Sequence, residues 1–283
     1  MSDMTTNWDD LVVTERSIDA GGTMLRVTEF GAGAPLVVLH GIGSRAVSWL
    51  PVAEALGQEF RVHALDQRGH GASAKPATGY VLADYARDLD AAIDALGLSR
   101  PLVMGHSLGG MVALTWAAAF PGRAAALVIE DSPMRQGGPT AAGLFDGWIA
   151  LARMTVDEAT AWYLAHEAGW TGAEARRRAE GITNIAPGVW TEMKEAVLAE
   201  AGALQTPKYA PIATPALLLY GDVEQGGMVP EADARAFATA LPRADAVRIA
   251  GGSHSLHRDR AGEFLATALP FLRTHAAATG AGH

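Results

Sequence analysis

Ser107 lies at the centre of a G-x-S-x-G pattern, in which Gly105 comes two residues before the serine and Gly109 two residues after it. The apolar run 102–104 precedes the pattern, and a helix-like pattern follows it. Small residues on both sides of a serine allow a sharp strand-to-helix turn, which lifts the hydroxyl out of the sheet. The spacing therefore predicts a serine nucleophile on a tight turn.

His254 is the candidate base for that serine. A serine hydroxyl is a weak nucleophile at neutral pH, so it needs a base within hydrogen-bonding distance. An imidazole can take the proton and then return it to the leaving group. His254 follows a predicted strand, and His257, three residues further along, is the alternative base.

Carboxylates that could orient the histidine follow two other predicted strands. Glu130 and Asp131 follow one of them, and Asp222 and Glu224 follow a later one. A carboxylate on the far ring nitrogen would fix the tautomer and stabilise the charged imidazole. Parallel strands place their carboxyl ends at one edge of a sheet, where ligands bind. The chain order serine, acid, histidine, each after a different strand, predicts nucleophilic acyl transfer.

Two backbone N–H groups are candidates for an oxyanion hole, because charge that develops on a carbonyl oxygen needs preorganised donors. Leu108 stands at the start of the predicted helix, and Ile42 stands in the glycine-rich stretch 40–43 after a predicted strand. One such donor is typically worth about 3–4 kcal/mol in the transition state.

Strand-like and helix-like patterns alternate along most of the chain. Such alternation predicts right-handed crossovers and a mostly parallel sheet. The predicted strands are 24–30, 36–39, 60–65, 101–104, 126–129, 216–220 and 246–249, and the predicted helices are 49–56, 80–96, 108–120, 231–241 and 259–274.

Residues 133–206 interrupt the alternation, because they contain no strand-like run and are helical in pattern. We predict a helical cap, or lid, inserted between two strands of one sheet. The α/β core then comprises residues 1–132 and 207–275. The small and polar residues 276–283 are predicted to form a disordered tail.

The predicted cap carries several aromatic and methionine side chains. We expect Trp148, Met154 and Trp162 to form an apolar wall over the substrate, although tryptophans in such a segment can equally form its ordinary core. An apolar wall favours an apolar or bulky acyl or alcohol group. The three consecutive arginines at 176–178 are predicted to form a solvated helix face.

Composition excludes several other classes of function. A chain of 283 residues, 49% of them hydrophobic, can bury a sizeable core. Its net charge of −9 argues against nucleic acid and anionic membranes as partners. Without cysteine there is no thiolate nucleophile, and no histidine spacing suits a metal. The first ten residues lack a signal-peptide pattern and no apolar run is long enough to span a bilayer, so we expect a cytoplasmic protein.

Taken together, these motifs resemble those of the α/β-hydrolase superfamily, in its esterase- and lipase-like branch, over about residues 22–274. The resemblance implies a mostly parallel eight-stranded sheet flanked by helices, a helical cap and no cofactor. It also implies that Asp66 and Arg68 hold a turn. The matching motifs are His40-Gly41-x-Gly43, Asp66-x-Arg68-Gly69-x-Gly71-x-Ser73, Gly105-x-Ser107-x-Gly109-Gly110 and the loop 251–254.

The carboxylate is the point at which this chain departs from the family's pattern. The family commonly places an aspartate three residues after the glycine that ends the late strand, where this chain has Glu224 in a loop two residues longer. Other members take the acid 24 residues after the nucleophile, which corresponds to Asp131 here. We favour Asp131, with Glu224 and Asp222 as the alternatives.

The combined prediction is a serine hydrolase that cleaves carboxylic esters, small molecules with an apolar or bulky group, through a Ser-His-acid triad and an acyl-enzyme. On the same fold the bond could instead belong to a lactone, an amide or a C–C linkage, and some relatives carry out cofactor-free perhydrolysis. The serine at 107 excludes relatives with an aspartyl nucleophile. A small-molecule sensor with low turnover is the alternative from another functional class.

Overall fold

Eight β-strands form one sheet in the computed structural model, which describes residues 11–135, 137, 141–167 and 169–279. The strands are β1 (Thr14–Asp19), β2 (Met24–Phe30), β3 (Ala34–Leu39), β4 (Phe60–Leu65), β5 (Leu102–His106), β6 (Ala126–Glu130), β7 (Ala216–Tyr220) and β8 (Ala244–Arg248). Their order across the sheet is β1-β2-β4-β3-β5-β6-β7-β8. The pairs β1–β2 and β2–β4 are antiparallel, and the other five pairs are parallel. The prediction of a mostly parallel eight-stranded sheet is confirmed.

Helices cover both faces of this sheet, as predicted. They are α1 (Leu50–Gly57), α2 (Leu82–Ala95), α3 (Leu108–Ala119), α4 (Ala141–Ala152), α5 (Val156–His166), α6 (Gly172–Ile182), α7 (Pro187–Ala199), α8 (Thr206–Tyr209), α9 (Glu231–Ala240), α10 (Leu256–Asp259) and α11 (Ala261–Ala276). Helices α4 to α8 all lie between β6 and β7 in the chain, and we call them the insert. The boundaries predicted for a cap at 133–206 remain a prediction. Residues 1–10, 136, 138–140 and 168, and residues 280–283 of the predicted tail, lie outside the described residues.

Strand β3 illustrates why the central strands read as continuous apolar runs. Val37 and Leu39 belong to the core that contains α2 and α3, whereas Leu36 and Val38 belong to the core that contains α1 and α11. Successive side chains of a strand point to opposite faces, so a strand covered on both sides needs an apolar residue at every position. Each fully buried side chain of this kind is worth about 1.5–3 kcal/mol. This packing fixes the carboxyl ends of the central strands.

Two helices of the insert begin at reciprocal capping hydrogen bonds. The Glu158 N–H donates to Thr155 Oγ1 at 3.2 Å and the Thr155 N–H donates to Glu158 Oε2 at 2.8 Å, at the start of α5. Glu174 and Thr171 repeat this pattern at the start of α6, with distances of 3.2 and 2.7 Å. A cap of this type contributes about 1 kcal/mol. The caps therefore set the residues at which α5 and α6 begin. The start of α6 in turn fixes where its arginines lie along the helix.

Candidate active site

Ser107 occupies the turn between β5 and α3 in a strained backbone conformation. Its φ is 52° and its ψ is −116°. Asp131, directly after β6, has a φ of 40°, and within the described chain these two are the non-glycine residues with positive φ. The Ser107 N–H donates to the Glu130 carbonyl oxygen at 2.9 Å, and the Asp131 N–H donates to that of Leu219 at 2.7 Å. Sheet hydrogen bonds thus hold both residues in conformations that cost about 1–3 kcal/mol each.

The glycines on either side of Ser107 are required by close backbone packing. A Cβ atom at Gly105 would overlap the carbonyl group of Gly109, four residues later. A Cβ atom at Gly109 would overlap the carbonyl oxygen of Leu39, at the end of the neighbouring strand β3. The turn that presents Ser107 can therefore be this tight only with hydrogen in place of both side chains.

Asp131 and His254 are in direct contact. His254 Nδ1 donates to Asp131 Oδ2 at 2.7 Å. The same carboxylate accepts the Met228 N–H at 2.8 Å and the Gly221 N–H at 3.2 Å. Asp131 is fully buried, while 29% of the His254 side chain remains exposed. Because a carboxylate accepts the Nδ1 proton, the Nε2 atom of the neutral ring is free to act as a base.

The structure brings neither Asp222 nor Glu224 to His254. Asp222 Oδ1 accepts Arg248 Nε at 2.5 Å and Asp222 Oδ2 accepts the Gly251 N–H at 2.8 Å. The hydrogen bond from Arg248 lowers the pKa of Asp222 below its usual range. Glu224 lies on an exposed 3₁₀ turn, Val223–Gln225. The longer loop after β7 thus places Glu224 in solvent. Asp222 instead holds the backbone of Gly251, at the start of the loop that carries His254.

The alternative base His257 has a carboxylate partner of its own. Its Nδ1 contacts Glu130 Oε1 at 2.7 Å, and its backbone N–H donates to the same oxygen at 2.9 Å. The end of β6 therefore delivers two successive carboxylates to two histidines that are three residues apart. This second pair was not predicted from the sequence, although the adjacent acids and the spacing of the histidines were visible there. His257 is buried and its ring lies 4.6 Å from that of Trp49, which indicates a structural pairing.

The loop that contains Ile42 is held from both sides. His40 Nδ1 donates to the Gly41 carbonyl oxygen at 2.8 Å, and the Gly43 N–H donates to His70 Nε2 at 3.2 Å. Arg178 of the insert donates to the Gly43 carbonyl oxygen. Fixing both neighbours of Ile42 fixes the direction of its own N–H. Leu108 is the first residue of α3, where helix geometry supplies no carbonyl partner for an N–H.

His40 and His70 perform this role as neutral rings. Burial lowers the pKa of His40 to about 4 and the pKa of His70 to about 3. An unfolded histidine titrates near 6.5, so below that pH the unfolded chain binds more protons than the folded chain. The stability that these rings contribute is therefore complete above about pH 6.5 and is lost as the pH falls, towards 4 for His40 and towards 3 for His70.

As the pH falls from about 6 to about 4, we expect each of these two histidines to lower the free energy of unfolding by about 1.4 kcal/mol per pH unit. Urea unfolding at several pH values in this range should show that the free energy of unfolding depends less steeply on pH in His70→Gln than in the unmodified chain. The exposed His166→Gln serves as the matched control and should keep the original slope. Identical slopes in all three proteins would contradict this assignment.

A cavity of about 480 Å³ joins the two candidate catalytic side chains. Ser107, His254 and Ile42 line it on the side of the sheet. Trp148 of α4 and Trp162 of α5 line it on the side of the insert. Cavities of this size typically hold small molecules. The sequence-predicted nucleophile, base and one oxyanion donor thus share one cavity with two of the three predicted wall residues.

The insert departs from the sequence prediction at Met154 and in the arginine run. Met154 does not line the cavity, because it lies between α4 and α5 and packs against the hydrophobic core. Arg176 is exposed and pairs with Asp157 at 3.0 Å, as expected of a solvated face. Arg177 and Arg178, however, line the cavity. Consecutive helix residues point about 100° apart, so one run can serve both environments.

In the described ranges, no group of three or more histidine, aspartate or glutamate side chains is arranged to hold a metal ion. Within these ranges, no helix combines the length and the apolar character needed to cross a bilayer.

Comparison with known proteins gives one family and several structural neighbours. Residues 34–261 match the family described as "alpha/beta hydrolase fold". A 2-(acetamidomethylene)succinate hydrolase of Mesorhizobium japonicum is 39% identical over 116 residues, which span 41% of this chain and 42% of that protein. The chain thus matches less than half the length of this curated relative.

Two solved structures share the fold over nearly the whole chain. The crystal structure of an E-2-(acetamidomethylene)succinate hydrolase superimposes with a TM-score of 0.80 at 24% identity and covers 92% of this chain and 99% of that one. The naproxen esterase of Bacillus subtilis gives a TM-score of 0.77 at 19% identity, with 93% and 92% covered. At these identities the likeness concerns the fold alone.

Proposed function

The chain belongs to the α/β-hydrolase fold family, and on that premise we propose that it is a serine hydrolase. In this proposal Ser107 is the nucleophile, His254 the general base and then acid, and Asp131 the carboxylate that orients the histidine. The observation that carries it is the 2.7 Å contact between His254 Nδ1 and Asp131 Oδ2, beside a strained serine that lines the same cavity. Ile42 and Leu108 supply the two oxyanion donors.

The reaction follows from the positions of the protons. Ser107 Oγ attacks the acyl carbon while its proton passes to His254 Nε2, and the imidazolium so formed is stabilised by Asp131. The carbonyl oxygen takes the negative charge and accepts the Ile42 and Leu108 N–H groups. Collapse of this intermediate breaks the bond to the leaving group, which takes the proton from His254. A water molecule then gives a proton to His254 and attacks the acyl-enzyme, and Ser107 regains its proton as the acid product leaves.

We propose a small carboxylic ester as the substrate, in open or lactone form. An ester oxygen is a better leaving group than an amide nitrogen and departs as the alcohol with the proton that His254 returns, and both forms pass through the same steps. The volume of about 480 Å³ suits a small molecule. The rings of Trp148 and Trp162 suit an apolar or bulky part of its acyl or alcohol group. The 39% identical relative is named as a hydrolase of 2-(acetamidomethylene)succinate, so an amide is the alternative bond.

A serine-reactive phosphonate tests the proposal without knowledge of the substrate. We expect one covalent label, located on Ser107 by peptide mass spectrometry, because only an activated hydroxyl displaces the leaving group. Ser107→Ala should take up no label, whereas Ser48→Ala, at another serine of the cavity wall, should be labelled as before. A chain that stays unlabelled, as a sensor with low turnover would, or that is labelled elsewhere, would refute Ser107 as the nucleophile.

A further inference from the structure

The wall of the cavity carries a positive charge that the chain as a whole does not share. Four arginines and two glutamates line the cavity, although the net charge of the chain is −9. One glutamate, Glu174, is engaged at the cap of α6, where it accepts the Thr171 N–H at 2.7 Å. The other, Glu167, is exposed. The charge that faces the cavity is therefore positive. The lining arginines are Arg45, Arg177, Arg178 and Arg258.

Two of these arginines are already committed elsewhere. Arg45 pairs with Glu180, and Arg178 donates to the carbonyl oxygen of Gly43. The side chain of Arg177, by contrast, makes no hydrogen bond or ion pair with any residue in the described ranges. Its guanidinium is a full positive charge beside the cavity with no partner there to neutralise it. It is therefore the arginine best placed to bind an anion that enters the cavity.

Arg258 is held against an aromatic stack and keeps part of its donor capacity free. Its guanidinium lies 4.5 Å from the ring centre of Trp170, which in turn stacks on Tyr163 at 5.3 Å with an angle of 5° between the rings. One end of the guanidinium pairs with Asp259. The Nε atom is buried and has no hydrogen-bond partner. The stack fixes this free donor in place, so little side-chain entropy is lost when it binds.

The rings of the stack present further buried donors without partners. Trp170 Nε1 and Tyr163 Oη are both in this state. Burial raises the pKa of Tyr163, so its hydroxyl stays protonated and can donate. An unpaired buried donor costs about 1–3 kcal/mol, and an acceptor that reaches it recovers this free energy. Both residues line the cavity, as Arg177 and Arg258 do.

We propose that Arg177, Arg258 and Trp170 bind a carboxylate group of the substrate. A carboxylate supplies the hydrogen-bond acceptor that the Arg177 guanidinium lacks, while Asp259 already balances the charge of Arg258. The inference rests on the proposed hydrolase function and narrows its substrate class to acyl compounds that also bear a free carboxylate, such as the half-ester of a dicarboxylic acid. The tryptophans at 148 and 162 then contact the apolar body of the same molecule.

Two esters that differ in charge, and otherwise only by one methyl group, test this subsite. Mono-p-nitrophenyl glutarate carries a free carboxylate, and its methyl ester is neutral. We expect Arg177→Met and Arg258→Met each to lower kcat/KM for the charged ester by about 10- to 100-fold, chiefly through KM, because a charge-assisted hydrogen bond is lost. Turnover of the neutral ester should change little. Arg176→Met, on the same helix but exposed, is the matched control and should alter neither reaction.

A second measurement reads the subsite without turnover. In the Ser107→Ala background, calorimetry should detect binding of the charged ester, and Arg177→Met should abolish most of it. Equal affinity in both proteins would overturn the carboxylate subsite, as would equal losses on charged and neutral esters. Failure of the hydrolase proposal gives a different result, in which neither ester is cleaved and phosphonate does not label Ser107, while binding still reports on the arginines.

Discussion

Replacement of Ser107 by alanine should lower kcat for an activated ester by about 10⁶-fold, as expected when nucleophile, base and acid act as a unit. Without the Oγ atom no acyl-enzyme can form. His254 then has no hydroxyl proton to accept, and its contact with Asp131 serves no purpose. Steady-state hydrolysis of a p-nitrophenyl ester by the purified variant provides the measurement.

A second variant separates lost chemistry from lost folding. Ser107→Gly removes the same hydroxyl but suits the observed φ of 52°, which costs a residue with a Cβ about 1–3 kcal/mol. We expect the glycine variant to be as inactive as the alanine variant and to have an equal or higher Tm. Near-normal turnover in either protein would show that Ser107 is not the nucleophile.

The sheet could be predicted from the sequence wherever burial leaves an apolar pattern. Strands β3 and β5 read as short continuous apolar runs because both of their faces are covered. Strand β1 was missed for the opposite reason. It lies at the edge of the sheet, and of its six residues only Ile18 is buried, so it produces no apolar alternation.

Spacing favoured Asp131 as the orienting carboxylate but could not decide the choice, because four acids follow the two strands. The path of the backbone makes the difference. At Asp131 a φ of 40° turns the chain so that the carboxylate meets His254 and two backbone N–H groups. The loop after β7 turns Glu224 to the surface and directs Asp222 to Arg248. The spacing of residues along the sequence predicts neither a single φ angle nor the path of a loop.

The arginine run shows a second limit of pattern reading. Charged residues on a helix usually face water, and Arg176 does. The direction of its two neighbours depends on what packs beside α6, which is a tertiary property. The positive charge of the cavity wall therefore became apparent only from the fold. It lies in the same cavity as the tryptophans that were predicted to form an apolar wall.

Strain and burial converge on the same two residues of the site. Ser107 and Asp131 both adopt positive φ, and both follow parallel strands that are neighbours in the sheet. Their total cost is about 2–6 kcal/mol, which only a well-packed sheet can sustain. Such strain is expected where the direction of a side chain matters more than local stability.

Exchange of Asp131 for asparagine is the sharpest test of how His254 is oriented. Asparagine tolerates the left-handed backbone region and keeps the shape of the side chain, so the fold should survive. Its amide can donate to His254 Nδ1, which would favour the tautomer with the proton on Nε2. That tautomer cannot accept the serine proton, and we expect kcat to fall by about 10⁴-fold.

Asp222→Asn and Glu224→Gln are the matched carboxylate-to-amide controls. Glu224→Gln changes an exposed side chain and should keep nearly full activity. Asp222→Asn weakens the contact with Arg248 but leaves the hydrogen bond from His254 to Asp131 intact, so its effect should be far smaller than that of Asp131→Asn. Measured on one ester at one pH, a large loss confined to Asp131→Asn would identify the orienting acid. A comparable loss in Asp222→Asn or Glu224→Gln, with Asp131→Asn active, would mean that the histidine turns to a different partner during the reaction.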